Sequence, residues 1–302
     1  MTARSDAIPE KHLSDHITDA PSYTAWDATT RSAYDRDGVV CLRRAFSADH
    51  VAAMAAGVEH DLRSPGRFFR DQTPENSPAK YLFSFWNWQN NAPFQQVIFN
   101  SPAGEIAGRL MGAETVTMIM DNWFLREAGA TNGAPWHHDE PYFDFDGGRM
   151  CVIWMPLEKA DREEGLTFAA GSHLWGKLFM PLYFRHREPY DGVEADGGYA
   201  VVPEIDAEPE KYRLLAWDLE PGDCLVFDLR TLHCATAGTK PLARQIRRLS
   251  LRFGDQNVRF KPRGIWTAEI TQFLAEQGQK VGERLDVPVL PQAWSTAGRL
   301  GV

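Results

Sequence analysis

From about residue 115 the chain reads as a succession of short strand-like runs, and before that point it reads as helices and irregular segments around one short strand. The runs TVTMIMDNWFLREAG, RMCVIWMPLEKA, GLTFAAGSH, YRLLAWDLEPGDCLVFDLRTLHCA and IRRLSLRFG are rich in β-branched and aromatic residues. Such residues suit a pleated, half-buried surface, and the turn residues between the runs stop each strand early. Many short strands behind a helical front close most readily as a sandwich or barrel. The expected fold class is α+β, a double-stranded β-helix (jelly roll, cupin-like) with supporting N-terminal helices. Pro221-Gly222-Asp223 lies between two strand runs and predicts a hairpin.

Residues 1–30 are polar and aperiodic and read as an irregular arm, with 31–302 as a single domain. A strand, GVVCLRRAF, follows Gly38, and Ser47-Ala48-Asp49 can cap a helix through Val51, Met54 and Val58. One helix is expected over 92–112 and another from Thr267 to Gln277. The segment FSFWNWQN, with Phe83, Phe85, Trp86 and Trp88, is either packing or a wall of an apolar substrate pocket. The polar stretch 177–212 is a candidate lid over the barrel mouth or a plain surface excursion. Both segments are expected to border the site, with the second the more mobile.

Charge narrows the partners. Forty-one acidic against 32 basic residues give a net charge of −9, which disfavours nucleic acid or an anionic membrane as a partner. No apolar run approaches the roughly 20 residues of a membrane span. The opening MTARSDAIPEKHLSDH has no apolar stretch of the kind a secretory signal carries. The four cysteines, Cys41, Cys151, Cys224 and Cys234, form no Cys-x-x-Cys pair and read as reduced thiols. A cytoplasmic protein acting on a small molecule is the expectation.

The chemistry concentrates in PWHHDEPYF, residues 135–143. On a strand, His137 and Asp139 point to the same face and can take two adjacent positions on a metal. A second imidazole stands in TLHCA at His233. Two His and one carboxylate form the facial triad of non-haem Fe(II) oxygenases, which leaves positions open for a bidentate 2-oxo acid and O2. His138 then points away. His173, in a small-residue turn, competes as third ligand but reads as a loop residue.

With these residues in place the chain resembles the phytanoyl-CoA dioxygenase family of Fe(II)/2-oxoglutarate oxygenases. DNWFLREAG, PWHHDEPYF, VIWMPLEKADREEGLTFAAGSHLWG, PGDCLVFDLRTLHCA and RRLSLRFGD carry the resemblance, in order, over roughly residues 30–260. It implies a double-stranded β-helix with Fe(II) on His137, Asp139 and His233, and 2-oxoglutarate consumed with O2 to give succinate, CO2 and an oxidised substrate.

A guanidinium matches the distal carboxylate of 2-oxoglutarate with two parallel hydrogen bonds. In that family the anchoring Arg follows the distal His at the spacing Arg244 has. The strand run RRLSLRFGD instead favours Arg247 or Arg248; strand parity with Ser250 points Arg248 inward, and a bulge would substitute Arg247. Arg126 is a further cation that can assist the co-substrate carboxylate or pair with an acid. Asn122 and Trp154 lie on strands of the same mouth, as packing or as co-substrate contacts. Aromatic walls suit a substrate with an apolar or ring-bearing body.

Rival readings use the same residues. Zn or Mn on such a barrel can serve an isomerase or hydrolase, and a barrel without turnover can simply bind a ligand. A halogenase would carry a small residue at Asp139 to admit halide. No His-Glu-x-x-His, Gly-x-Ser-x-Gly or phosphate-loop motif is present.

Overall fold

The computed structural model describes residues 13–131, 133–184, 188–193, 198–235 and 241–297. A nine-stranded major sheet runs in the order 22–23, 39–42, 224–228, 150–156, 246–255, 115–126, 81–85 and 70–71, with 292–295 also on the 115–126 strand. A four-stranded minor sheet orders 17–19, 214–216, 166–169 and 233–235. Val152, Leu225 and Phe227 of the major sheet share one core with Phe168 and Leu215 of the minor sheet. The two sheets thus form the walls of a double-stranded β-helix.

The other face of the major sheet is covered by the helices Ala48–Arg63, Ala92–Asn100 and Ala103–Met111. Met54, Val58, Phe94, Val97, Ile106 and Leu110 pack there against Ile153, Val226, Leu249 and Leu251. Alternation along the strands therefore buries both faces of the major sheet. Ser47 caps the first of these helices in a reciprocal pair with His50, as the Ser-Ala-Asp signal implies. The helix expected over 92–112 is two helices. Pro102 has no amide hydrogen to donate, and Ser101 before it is extended, so the run breaks there.

Two further expectations are corrected. The lead-in 17–23 is not irregular: Ile17–Asp19 pairs with Leu214–Ala216, and Ser22–Tyr23 pairs with Cys41 and Leu42. Strands this short show no alternation for a sequence to reveal. Residues 1–12 of the arm lie outside the described residues. Pro221-Gly222-Asp223 does not close a hairpin, because Leu214–Ala216 is in the minor sheet and Cys224–Asp228 in the major. The turn is a corner between sheets. Gly222 has φ 100°, and a Cβ there would stand 2.7 Å from the Phe46 carbonyl oxygen. Asp223 holds the corner by accepting from the Arg44 amide and the Arg43 guanidinium.

All four cysteines are buried. Among the described residues no helix is long and apolar enough to cross a membrane.

Candidate metal centre

His137 and His233 face each other across the gap between two segments. Their backbones exchange both hydrogen bonds, at 3.0 and 2.8 Å, which sets the rings 4.3 Å apart between centroids. Asp139 reaches the same point by another route than strand alternation. Past His137 the backbone turns helical at Asp139 (φ −75°, ψ −30°) and enters a single 3-10 turn, Glu140–Tyr142. The Leu229 carbonyl accepts from the amides of both Asp139 and Glu140 and pins that turn. The buried Glu140 carboxylate is gripped by Arg230 and by Arg263 Nη2, the latter at 3.0 Å. One ligand atom from each of His137, Asp139 and His233 lies within 4.8 Å of the other two.

The protonation pattern suits a cation. His137 Nδ1 lies 2.8 Å from the Pro135 carbonyl and His233 Nδ1 2.9 Å from that of Thr231. Carbonyls only accept, so each Nδ1 carries a proton and each Nε2 is the atom turned toward the third ligand. Those Nε2 atoms face Asp139 Oδ1 at 3.6 and 3.7 Å, too long for hydrogen bonds. Burial, with the neighbouring His137, pulls His233 down to about 3, so it is a neutral ligand near neutral pH. Burial alone would raise the Asp139 carboxyl; the Arg252 guanidinium outweighs it and holds Asp139 well below the usual carboxylate range. His138 points away, as expected: its Nε2 accepts from the Phe179 amide at 2.9 Å. His173 lies outside the cluster, with Nε2 against the Asp35 carbonyl at 3.2 Å.

Arg252 is the residue that sequence reasoning missed. Its Nε and Nη2 both donate to Asp139 Oδ2, at 3.1 and 2.8 Å. It shares the inward face of the Ile246–Asp255 strand with Arg248 and Ser250. That parity was the only available signal.

The candidate anchors separate cleanly. Arg247 points outward and pairs with Glu158 at 2.8 Å and Glu59 at 2.9 Å. Arg244 is engaged by Glu164 at 2.6 Å and the Lys159 carbonyl. The structure brings neither to the triad, because surface carboxylates already hold both. Arg248 is 4% exposed, and its Nε and Nη2 have no hydrogen-bond partner. Its Cζ lies 5.1 Å from the Trp154 ring centroid, and burial brings its pKa down to about 10. Arg126 is likewise buried with Nε and Nη2 unpartnered, over the Tyr81 ring. Asn122 donates to the Ser84 carbonyl, and its Oδ1 stands 3.5 Å from Arg252 Nη1.

Aromatic rings line the His137 side. Phe184 lies 4.6 Å and Tyr142 5.8 Å from the His137 ring, so the 177–212 segment borders the centre. Trp136 ties the same segment down through Asp206 at 2.8 Å. Residues 185–187 and 194–197 of that candidate lid lie outside the described residues. On the opposite flank, Phe83 and Phe85 pair with Phe124 and Asn122 of the central strand. Two cavities of about 420 Å³ lie elsewhere, one beside Thr117 and Pro291 and one beside Arg67 and Asn87. Neither includes a triad residue, and donor chemistry carries the assignment instead of cavity size.

The family model described as Phytanoyl-CoA dioxygenase (PhyH) matches residues 34–245. The chain belongs to that family. Among solved structures it is similar to the non-heme alpha ketoglutarate dependent epimerase SnoN from nogalamycin biosynthesis. That pair is 19% identical with a TM-score of 0.69, covering 87% of this chain and 94% of that one. The carbocyclase SnoK from the same biosynthesis is 18% identical, with a TM-score of 0.68 and coverage of 89% and 96%. EctD from S. alaskensis is 18% identical, with a TM-score of 0.59 and coverage of 83% and 84%. At these identities the likeness is one of fold. No curated protein sequence matches the chain.

Proposed function

We propose that this phytanoyl-CoA dioxygenase family member is a cytoplasmic non-haem Fe(II)/2-oxoglutarate-dependent oxygenase that hydroxylates a small organic substrate, releasing succinate and CO2. One observation carries the reading. A two-imidazole, one-carboxylate set lies on the same barrel interior as two buried guanidiniums with unpartnered donors. Neutral imidazoles and a carboxylate suit ferrous iron, which when bound supplies the one-electron chemistry that O2 requires.

The chain's own residues account for the rest. A buried donor without a partner is costly, and a carboxylate of the co-substrate removes that cost at Arg248 and Arg126 together. Trp154 backs the Arg248 guanidinium through its ring face. Phe184 and Tyr142 form an apolar wall that keeps water from the reacting carbon and suits a ring-bearing substrate body. Support from relatives points the same way: one SnoN structure is a complex with Fe3+, alpha ketoglutarate and nogalamycin RO.

The test is succinate release with Fe(II), 2-oxoglutarate and O2 across a panel of small substrates, with product masses measured alongside. A product heavier by one oxygen supports hydroxylation. A product of unchanged mass, or one lacking two hydrogens, replaces hydroxylation with epimerisation or ring closure and keeps the oxygenase class. Turnover with Zn(II) alone and no succinate would overturn the class itself.

A further inference from the structure

We infer that Arg252 is a positioning residue that keeps Asp139 a one-oxygen ligand and so preserves an open coordination position at the metal. The inference rests on the iron reading above and goes beyond it, because the ligand set alone does not say how many oxygens Asp139 offers.

The geometry divides the carboxylate between two tasks. Oδ1 faces the two imidazole Nε2 atoms at 3.6 and 3.7 Å. Oδ2 receives both donors of the guanidinium, at 3.1 and 2.8 Å. Arg252 is itself fixed. It is 6% exposed, its Cζ lies 4.7 Å from the Phe143 ring centroid, and its third nitrogen faces Asn122 Oδ1. Its strand is irregular at that point too. Pairing with the 115–126 strand shifts register between Arg252 and Phe253, while pairing with 150–156 continues through both. Bulges beside functional sites commonly re-aim a side chain.

The chemical consequence follows from counting positions. Two imidazoles and one carboxylate oxygen leave three positions of an octahedral ion open. A 2-oxo acid bound through carboxylate and carbonyl takes two, and one remains for O2. A carboxylate using both oxygens would take that last position. Two charge-assisted hydrogen bonds make Oδ2 a poor donor to metal and hold the carboxylate to one oxygen.

The experiment uses nitric oxide as an O2 surrogate, added anaerobically to the full-length protein loaded with Fe(II) and 2-oxoglutarate, and read by electron paramagnetic resonance. Wild-type protein is expected to give the high-spin iron–nitrosyl signal. Arg252→Met, which lacks charge and donors, is expected to need at least tenfold more nitric oxide for half its signal. Arg252→Lys, which keeps the charge and a donor, should return to within about threefold of wild type. If Arg252→Met does not fold, Arg252→Gln replaces it, with an expected loss of at least threefold. A folded Met or Gln variant that titrates like wild type overturns the inference alone. Absence of the signal from wild-type protein overturns the iron reading, and this inference with it.

Discussion

Arg252 and Arg248 stand on the same face of one strand and are almost equally buried, at 6% and 4% exposure. Their hydrogen bonding differs, although Arg248 Nη1 donates to the Arg247 carbonyl at 2.8 Å and stands 3.9 Å from Glu158. Arg252 is paired with Asp139, whereas Arg248, like Arg126 nearby, keeps two donors without a partner. At the metal end the Arg252 guanidinium finds its carboxylate within the protein; at the end proposed to anchor 2-oxoglutarate, two guanidiniums keep buried donors without a partner. Leaving buried donors unpaired lowers stability, and a site that bears this cost gains affinity for whatever anion relieves it. Arg247, one residue from Arg248, shows what a guanidinium does on the outer face: it joins Glu158 and Glu59.

The largest expected effect tests the metal end. His137→Ala, Asp139→Ala and His233→Ala should each reduce succinate formation to background while circular dichroism stays native. Asp139→Ala also strands Arg252, so its melting temperature should fall further than in either His variant; breaking a buried pair costs about 3 to 5 kcal/mol. A folded His137→Ala protein with full activity would dissolve the distinction between the two ends.

The anchor end comes next. Arg248→Ala should weaken 2-oxoglutarate binding more than tenfold by calorimetry, in line with about 2 to 5 kcal/mol for a desolvated charge pair. Arg247→Ala should change it less than twofold. Equal losses at the two positions would mean that burial and pairing do not decide the anchor. Arg126→Ala should cost roughly tenfold, from a charged hydrogen bond of about 1.5 kcal/mol. A smaller effect is expected from Phe184→Ala. Its 2-oxoglutarate affinity should stay within threefold of wild type, while the ratio of succinate to oxidised product rises as water enters. An unchanged ratio would remove Phe184 from the substrate wall.

The parts of this molecule legible beforehand are those whose signal is local or periodic. His137 and Asp139 sit two apart in one motif, and His233 lies in its own strand run, so ligand chemistry could join them. Arg248 is legible because it alternates with Ser250 and a burial face has period two. Arg252 obeys the same alternation, yet its partner lies 113 residues away in sequence, and nothing near either residue marks the pair. The corner at Pro221-Gly222-Asp223 shows the converse. A turn signal states that the chain reverses locally, whereas sheet membership depends on partners such as Leu42 and Trp154, which pair with Cys224 and Leu225. His137 and Asp139 also converge through a helical turn at Asp139 and not through the strand pleat that their two-residue spacing suggests.

One measurement tests the account at its centre. Anaerobic addition of Fe(II) and then 2-oxoglutarate to the metal-free protein should develop a visible iron-to-keto-acid charge-transfer band. The same titration should give no band in His137→Ala, and should need more than tenfold more 2-oxoglutarate in Arg248→Ala. A folded wild-type protein that shows no band with both components present would contradict the assignment of the triad and the anchor together.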